Sequence, residues 1–189
     1  MKYLLLAWTR LLVLALLASA ALAGGAEPHL EKLDVPGITN FTKLSDSSGF
    51  AGAMVGFGGA TTPASMAELK AAGFTTVVNM RLAAERGAEV EASREAAEAA
   101  GLTYVHLPYN PMDAPPDILE SFIATIGDSG QPVYLHCASA TRIGALWMAA
   151  RVLEDGWDVD DATQEAVSIA GRPERAVELG NSLIESRQP

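Results

Sequence analysis

The sequence predicts an α/β fold, a three-layer sandwich in which helices cover both faces of a parallel sheet and further helices follow at the C-terminus. Short apolar runs alternate along the chain with longer amphipathic segments, which is the order of parallel strands joined by helices. Gly and Pro residues separate these segments and indicate turns between them. Sheets of this class bind ligands beyond the carboxyl ends of their strands, so we expect a functional site there.

The first predicted strand is an apolar run over 53–57 that ends at two glycines. Thr62 suits the N-cap and Pro63 the first position of the following helix, which Gly73 ends. Residues 75–79 form a β-branched run that is typical of a strand buried on both faces. The remaining predicted elements are a helix over 89–100, a strand over 102–107, a helix over 118–126, a strand over 132–135 and helices over 143–153, 160–170 and 173–184.

Residues 1–23 have the features of an export signal peptide. Lys2 and Arg10 flank an apolar stretch, and residues 21–23 (Ala-Leu-Ala) have the small-x-small form of a cleavage site. The apolar run that follows Arg10 is short for a membrane span, which favours cleavage over anchoring. We therefore expect an exported protein, periplasmic or secreted, with no stable membrane insertion once the signal is cleaved.

Residues 24–40 contain Gly, Pro and scattered charge and predict a flexible leader, and residues 41–189 predict a single domain. The chain has a formal net charge of −10, and removal of Lys2 and Arg10 with the signal makes it −12. We do not expect so acidic a chain to bind nucleic acid or anionic lipid. An anionic substrate must be attracted by local groups such as Arg142. The oligomeric state does not follow from the sequence.

The single cysteine, Cys137, lies between a predicted strand and a predicted helix in the run Pro-Val-Tyr-Leu-His-Cys-Ala-Ser-Ala-Thr-Arg-Ile-Gly. Backbone N–H groups at a helix N-terminus and the nearby Arg142 favour a thiolate. The same loop is suited to a tetrahedral oxyanion, since Arg142 offers a planar fork to two oxygens. The candidate anion-binding residues are Ala138, Ser139, Ala140, Thr141 and Arg142. This position favours a reactive nucleophile over a small buried hydrophobe.

His136, Cys137 and Arg142 resemble the signature of the cysteine-dependent protein tyrosine and dual-specificity phosphatases. The loop is more similar to that of a bacterial branch, the β-lactamase-hydrolase-like protein phosphatase-like domains. Those domains carry roughly Cys-Arg-Ser-Gly-Thr-Arg followed by a Leu-Trp pair, which here is Leu146-Trp147. The resemblance also includes the strand that ends Val-Val-Asn-Met-Arg at Arg81, and it spans about residues 41–171.

The resemblance implies a cysteine-dependent phosphatase-like domain over 41–189, a hydrolase of phosphate monoesters of the phosphotyrosine or dual-specificity type. Cys137 would form a phosphocysteine intermediate with a phosphorylated protein or a small phosphoester, and no cofactor or metal is implied. Three histidines without close spacing and a lone cysteine also argue against a transition-metal site.

Asp113 and His136 take roles from this resemblance, whereas Arg81 takes one from its position after a predicted strand at the same end of the sheet. Asp113, in a proline-bounded loop after a predicted strand, would be the general acid that protonates the leaving oxygen, unless it only starts a turn. Asp117 is the competing carboxylate, although its place in a first helical turn has a sufficient dipole explanation. His136 would hold the loop by hydrogen bonding. Arg81 would add positive potential near the substrate or form a salt bridge to Glu85 or Glu89.

The loop also departs from the mainstream phosphatase pattern. Four residues separate Cys137 from Arg142 instead of five, a spacing found in the bacterial branch and in many rhodanese-like sulfurtransferases. Ala140 stands where the family usually has glycine, and Ile143 where many relatives have Ser or Thr. Two alternatives therefore stay open: a sulfurtransferase that uses the same cysteine, and a non-enzymatic, anion- or partner-binding pseudophosphatase.

Overall fold

The computed structural model of the protein describes residues 30–45, 49–52, 54–128 and 132–187. The predicted signal peptide and residues 24–29 of the predicted leader lie outside the described residues. In chain order, the elements are β1 (Leu30–Leu33), β2 (Phe41–Leu44), β3 (Val55–Gly58), a 3₁₀ turn (Pro63–Ser65), α1 (Met66–Ala71), β4 (Thr76–Asn79), α2 (Val90–Ala99), β5 (Thr103–His106), α3 (Ile118–Asp128), β6 (Val133–His136), α4 (Thr141–Leu153), α5 (Val159–Ile169) and α6 (Pro173–Glu185).

The described strands form one sheet in the order β1-β2-β3-β6-β4-β5. Strands β3, β6, β4 and β5 are mutually parallel, which confirms the predicted parallel core of the sheet. Strand β2 runs antiparallel to both of its neighbours, β1 and β3, so the sheet as a whole is mixed. All four parallel strands place their carboxyl ends at the same edge, where ligand sites of α/β proteins form.

Strand β1 corrects the prediction of a flexible leader over 24–40. Leu30–Leu33 pairs with Phe41–Leu44 along its whole length, so the leader prediction is wrong from Leu30 onward. Leu30 and Leu33 pack, partly buried, against the two apolar cores of the domain. A four-residue strand with two charged residues at its centre shows no recognisable alternation. Pairing with β2 and contact with the cores order this segment, and neither is visible in local sequence.

Helices cover both faces of the sheet, and the predicted three layers are confirmed. Val77 and Val78, consecutive residues of β4, belong to apolar cores on opposite faces. Helices α3 to α6 cover one face, whereas the 3₁₀ turn, α1 and α2 cover the other. Residues 141–151 of α4 are all buried, which makes α4 the central helix of its layer. No helix within the described ranges is both long and apolar enough to cross a membrane.

The glycines of β3 make room for the side chain of Tyr134 on the adjacent β6. A Cβ atom built on Gly58 would overlap the Tyr134 hydroxyl oxygen, and one on Gly56 would lie 2.7 Å from the Phe74 ring. The Tyr134 hydroxyl is hydrogen-bonded to the Thr61 hydroxyl at 2.7 Å. The glycines within β3 are thus explained by packing beside the strand that leads into Cys137.

Candidate active site

Cys137 lies at the carboxyl edge of the parallel strands. Its N–H donates to the Gly58 carbonyl oxygen (3.2 Å), and the His136 carbonyl oxygen accepts from the Met80 N–H (2.9 Å). These bonds extend the pairing of β6 with β3 and β4 up to the cysteine itself. The chain then turns through residues 138–140 into α4, which is the predicted order of strand, loop and helix. The Cys137 thiol is free and 1% exposed.

The loop between Cys137 and Arg142 is fixed at Ser139 from two sides. Ser139 forms an isolated β-bridge with Gly59, and its carbonyl oxygen accepts from the Gly171 N–H at 2.8 Å. A Cβ on Gly171 would lie 2.6 Å from that oxygen, so only glycine permits this approach. The Ser139 and Thr141 hydroxyls are hydrogen-bonded to each other at 2.9 Å. The predicted anion-binding residues therefore lie in one loop that is bonded to neighbouring segments on two sides.

Ala140 adopts the left-handed conformation that the sequence analysis associated with glycine. Its φ is 58° and its ψ is 1°, and it is fully buried at the N-cap of α4. A non-glycine residue in this region costs roughly 1–2 kcal/mol of backbone strain. No side chain caps α4, so the first N–H groups of the helix stay available to a bound anion.

Arg142 is held in one orientation by three segments of the chain. Its Nη1 donates to Glu85 Oε1 (2.6 Å) and to the carbonyl oxygens of Met80 (3.0 Å) and Tyr109 (2.9 Å). Its Nη2 donates to Glu85 Oε2 (2.8 Å), which completes a bidentate pair. A guanidinium has five N–H groups. The Nε–H and the second Nη2–H, which share one edge, have no oxygen acceptor among the described residues.

This remaining edge is the part of Arg142 that suits two oxygens of a phosphoryl group. Burial acts to lower the pKa of Arg142, but the hydrogen bonds that it donates to Glu85, the charge of Glu85 and the interaction with Cys137 raise it. The guanidinium is therefore charged beside Cys137 and oriented before any ligand binds. The arrangement can attract a tetrahedral oxyanion, align it and stabilise charge that develops on its oxygens.

Glu85 is the residue that sequence reasoning missed, since it was considered only as a partner of Arg81. Its carboxylate accepts from Arg142, from Arg81 Nε (3.3 Å) and from the Leu82 N–H (2.9 Å). Partial burial acts to raise the pKa of Glu85, but these hydrogen bonds and the charge of Arg142 lower it to about 2. Glu85 is thus ionised at neutral pH. No local pattern predicts a contact between residues 57 positions apart in sequence.

Arg81 supports Glu85 from the other side. Its side chain is buried, and besides Glu85 it donates to the carbonyl oxygens of Arg86 and Gly87. Of the two partners considered in the sequence analysis, Glu85 is the one observed, and the structure shows no such bond to Glu89. Arg81 therefore braces the carboxylate that holds Arg142.

His136 is fully buried and neutral at neutral pH. Burial, followed by the positive charges of Arg81 and Arg142, lowers the pKa of its ring to about 3. The ring stacks on Tyr134 with a centroid distance of 5.9 Å. The hydrogen bonds predicted for this ring are not seen: neither nitrogen has a partner of good geometry among the described residues. The nearby backbone of Cys137 and Gly59 acts in the opposite direction and favours the charged form, but burial outweighs it.

Asp113 lies on the exposed loop between β5 and α3. Its backbone N–H donates to the Asn110 carbonyl oxygen (3.1 Å), and within the described residues its carboxylate has no hydrogen bond or ion pair. The structure therefore does not join Asp113 to the network of Cys137 and Arg142. The loop is nevertheless attached to that network, because Arg142 binds the Tyr109 carbonyl four residues earlier. Asp117 is also exposed.

The fold and this site define a class of protein, the cysteine-dependent phosphatases. Residues 55–154 match the sequence model described as the β-lactamase hydrolase-like protein, phosphatase-like domain. The chain belongs to that family. No curated protein matches the chain at a significant level.

Solved structures of phosphatases share this fold. P. aeruginosa TpbA is 17% identical, and the match covers 87% of this chain and 92% of TpbA with a TM-score of 0.64. A TpbA structure in complex with phosphotyrosine, with serine in place of a cysteine, matches with 16% identity, coverage of 85% and 90%, and a TM-score of 0.62. Tk-PTP in its active form is 20% identical, with coverage of 80% of this chain and 99% of its own and a TM-score of 0.55.

Proposed function

We propose that the protein hydrolyses phosphate monoesters of the phosphotyrosine or dual-specificity type through a covalent intermediate on Cys137. The observation that carries this proposal is the orientation of Arg142. Glu85 and two carbonyl oxygens occupy one side of the guanidinium, and the edge left over suits two phosphoryl oxygens next to the cysteine. An arginine braced in this way supplies aligned positive charge with little further ordering.

The reaction has two steps. In the first, the Cys137 thiolate attacks phosphorus, an S–P bond forms, and the P–O bond to the leaving group breaks. Asp113, in its proposed role, gives its proton to the departing oxygen. In the second, a water gives a proton to Asp113 as its oxygen attacks phosphorus, the S–P bond breaks, and inorganic phosphate leaves with the thiolate restored. Arg142 and the backbone N–H groups of the loop stabilise the equatorial oxygens throughout.

Turnover of para-nitrophenyl phosphate by the purified protein tests this proposal. The assay contains EDTA and a reductant, covers pH 5 to pH 8, and has Cys137→Ser as its control. We expect saturable release of phosphate by the unchanged protein and none by the variant. Absence of turnover while mass spectrometry shows a reduced, unmodified Cys137 would contradict the assignment and favour the pseudophosphatase.

The sulfurtransferase alternative has the four-residue gap between Cys137 and Arg142 in its favour. Treatment with thiosulfate would then add one sulfur atom to Cys137, which intact-protein mass spectrometry detects. We expect no such adduct, because the braced edge of Arg142 matches a pair of phosphoryl oxygens. An adduct formed together with absent phosphatase turnover would reverse the preference.

We propose that the natural substrate is a phosphorylated protein or a small phosphoester outside the cytoplasm. The signal-like residues 1–23 support export. The binding of phosphotyrosine by TpbA, a structure of the same fold, suggests a phosphotyrosine peptide as the first protein substrate to test. Mass spectrometry of the exported protein is expected to show an N-terminus at Gly24. An intact N-terminus on exported protein would contradict cleavage.

A further inference from the structure

Two arginines in segments that adjoin the site, Arg86 and Arg172, have no side-chain partner among the described residues. Both are exposed, and neither side chain makes a hydrogen bond, ion pair or ring contact within the described residues. Every other described lysine and arginine side chain has such a partner, namely Lys32, Lys43, Lys70, Arg81, Arg94, Arg142, Arg151, Arg175 and Arg187. Because acidic residues outnumber basic ones in a chain with a net charge of −10, most cationic side chains are expected to find a partner. The two arginines without one are therefore candidates for binding a ligand.

Both exceptions lie in segments that are bonded directly to the catalytic loop. Arg86 follows Glu85, the partner of Arg142, and its own carbonyl oxygen accepts from Arg81 Nη2 at 2.8 Å. Arg172 follows Gly171, whose N–H donates to the Ser139 carbonyl oxygen at 2.8 Å. The two cations are therefore carried by backbone that is anchored to the site from two directions.

The positive charges inside the site are partly neutralised before a substrate arrives. Glu85 is paired with both Arg81 and Arg142, so these three side chains sum to one positive formal charge. A dianionic phosphate ester then brings more negative charge than these side chains offset, and backbone dipoles oppose the rest. Any further anionic group on the substrate needs a cation that is not yet neutralised.

We propose that Arg86 and Arg172 bind a second anionic group of the substrate, a phosphate or a carboxylate carried close to the scissile phosphate. The inference rests on the proposed phosphatase function and adds a substrate class to it. An exposed guanidinium without a partner recognises either group through paired hydrogen bonds. Because the rest of the chain is acidic, such local cations determine which anions can approach.

Two matched pairs of substrates test this inference by release of inorganic phosphate at fixed ionic strength. Fructose 1,6-bisphosphate is compared with fructose 6-phosphate, and a phosphotyrosine peptide flanked by Asp and Glu is compared with its Asn and Gln counterpart. The variants are Arg86→Gln and Arg172→Gln. Lys70→Gln is the control, since it removes one positive charge at an exposed residue whose partner, Gly101, precedes β5 at the opposite edge of the sheet.

We expect the unchanged protein to prefer the more anionic member of one pair by about tenfold in kcat/KM, a difference worth about 1.4 kcal/mol. Each arginine variant should lose a large part of that preference while kcat/KM for the less anionic member changes by less than about twofold, as exposed charge pairs contribute little elsewhere. Lys70→Gln should retain the preference. Preference in the sugar pair identifies a second phosphate, and preference in the peptide pair identifies carboxylates.

Equal kcat/KM within both pairs, or arginine variants that behave like Lys70→Gln, would overturn the inference and leave the phosphatase assignment intact. Failure of the unchanged protein to hydrolyse para-nitrophenyl phosphate or any of the four substrates would instead refute the proposed function, and the inference with it.

Discussion

Replacement of Glu85 by Gln removes the charge that holds Arg142 while it keeps the size of the side chain. One of the two Arg142 N–H groups that now meet a carboxylate oxygen would face an amide NH₂ group, which is itself a donor. Arg81 would lose the same negative partner. We therefore expect Glu85→Gln to lower the free energy of unfolding and to leave Arg142 less well oriented.

The magnitude follows from the pKa of Glu85, which lies at about 2 instead of its ordinary 4.5. A displacement of that size corresponds to roughly 3 kcal/mol of stabilisation by linkage. The Glu85 side chain is 24% exposed, so solvent screening reduces the expected loss in Glu85→Gln to about 1–2 kcal/mol. A misaligned Arg142 should also lower kcat/KM by roughly 10- to 100-fold.

The pH dependence has a definite sign. Because the folded-state pKa of Glu85 lies below the unfolded one, its stabilisation is complete above about pH 5 and is lost as the pH falls toward 2. The unchanged protein should therefore lose a large part of its advantage over Glu85→Gln between pH 5.5 and pH 3, and the remainder as the pH falls toward 2. Urea unfolding at these two pH values measures the difference in the free energy of unfolding.

Glu91→Gln is the matched control, since Glu91 is paired with Arg94 at 3.5 Å but its side chain is 79% exposed. We expect that variant to change the free energy of unfolding by less than about 0.5 kcal/mol. If Glu85→Gln were as stable and as active as the unchanged protein at pH 7, Glu85 could not be what holds Arg142.

Three further predictions concern the loop and the general acid. Arg142→Lys should lower kcat/KM by about 10²-fold or more, because lysine keeps the charge but not the two-donor edge; near-normal kinetics would reduce Arg142 to a point charge. Asp113→Asn should lower kcat/KM severely for alkyl phosphates and less for activated aryl phosphates, because help from a general acid is worth about 10²–10⁴-fold. Asp117→Asn is the control. An equal small effect of Asp113→Asn on both substrate classes would leave Asp113 a turn residue. Ala140→Val should destabilise the protein by more than about 2 kcal/mol in urea unfolding, because a β-branched residue cannot adopt a φ of 58° without strain. Ala140→Gly should change the free energy of unfolding by less than about 1 kcal/mol, because relief of backbone strain offsets the loss of a buried methyl group. If Ala140→Val were as stable as the unchanged protein, the loop could not be left-handed at this position.

The parallel strands, the main helices and the position of Cys137 could be predicted from the sequence because each depends on short-range signals. An apolar run of strand length, a proline at a helix start and a glycine at a helix end act within a few residues. The first two strands carry no such signal: Leu30–Leu33 has two charged residues at its centre and is ordered by pairing with Phe41–Leu44.

The sequence by itself determined that the single cysteine follows a buried strand, precedes a helix and is accompanied by Arg142. Only the tertiary structure decided how Arg142 is held, because its partners Met80, Glu85 and Tyr109 come from segments 62, 57 and 33 residues away. It also decided that Arg81 braces Glu85. The order of the strands and the packing of the loops at one sheet edge determine which residues meet there. Both depend on contacts across the whole chain.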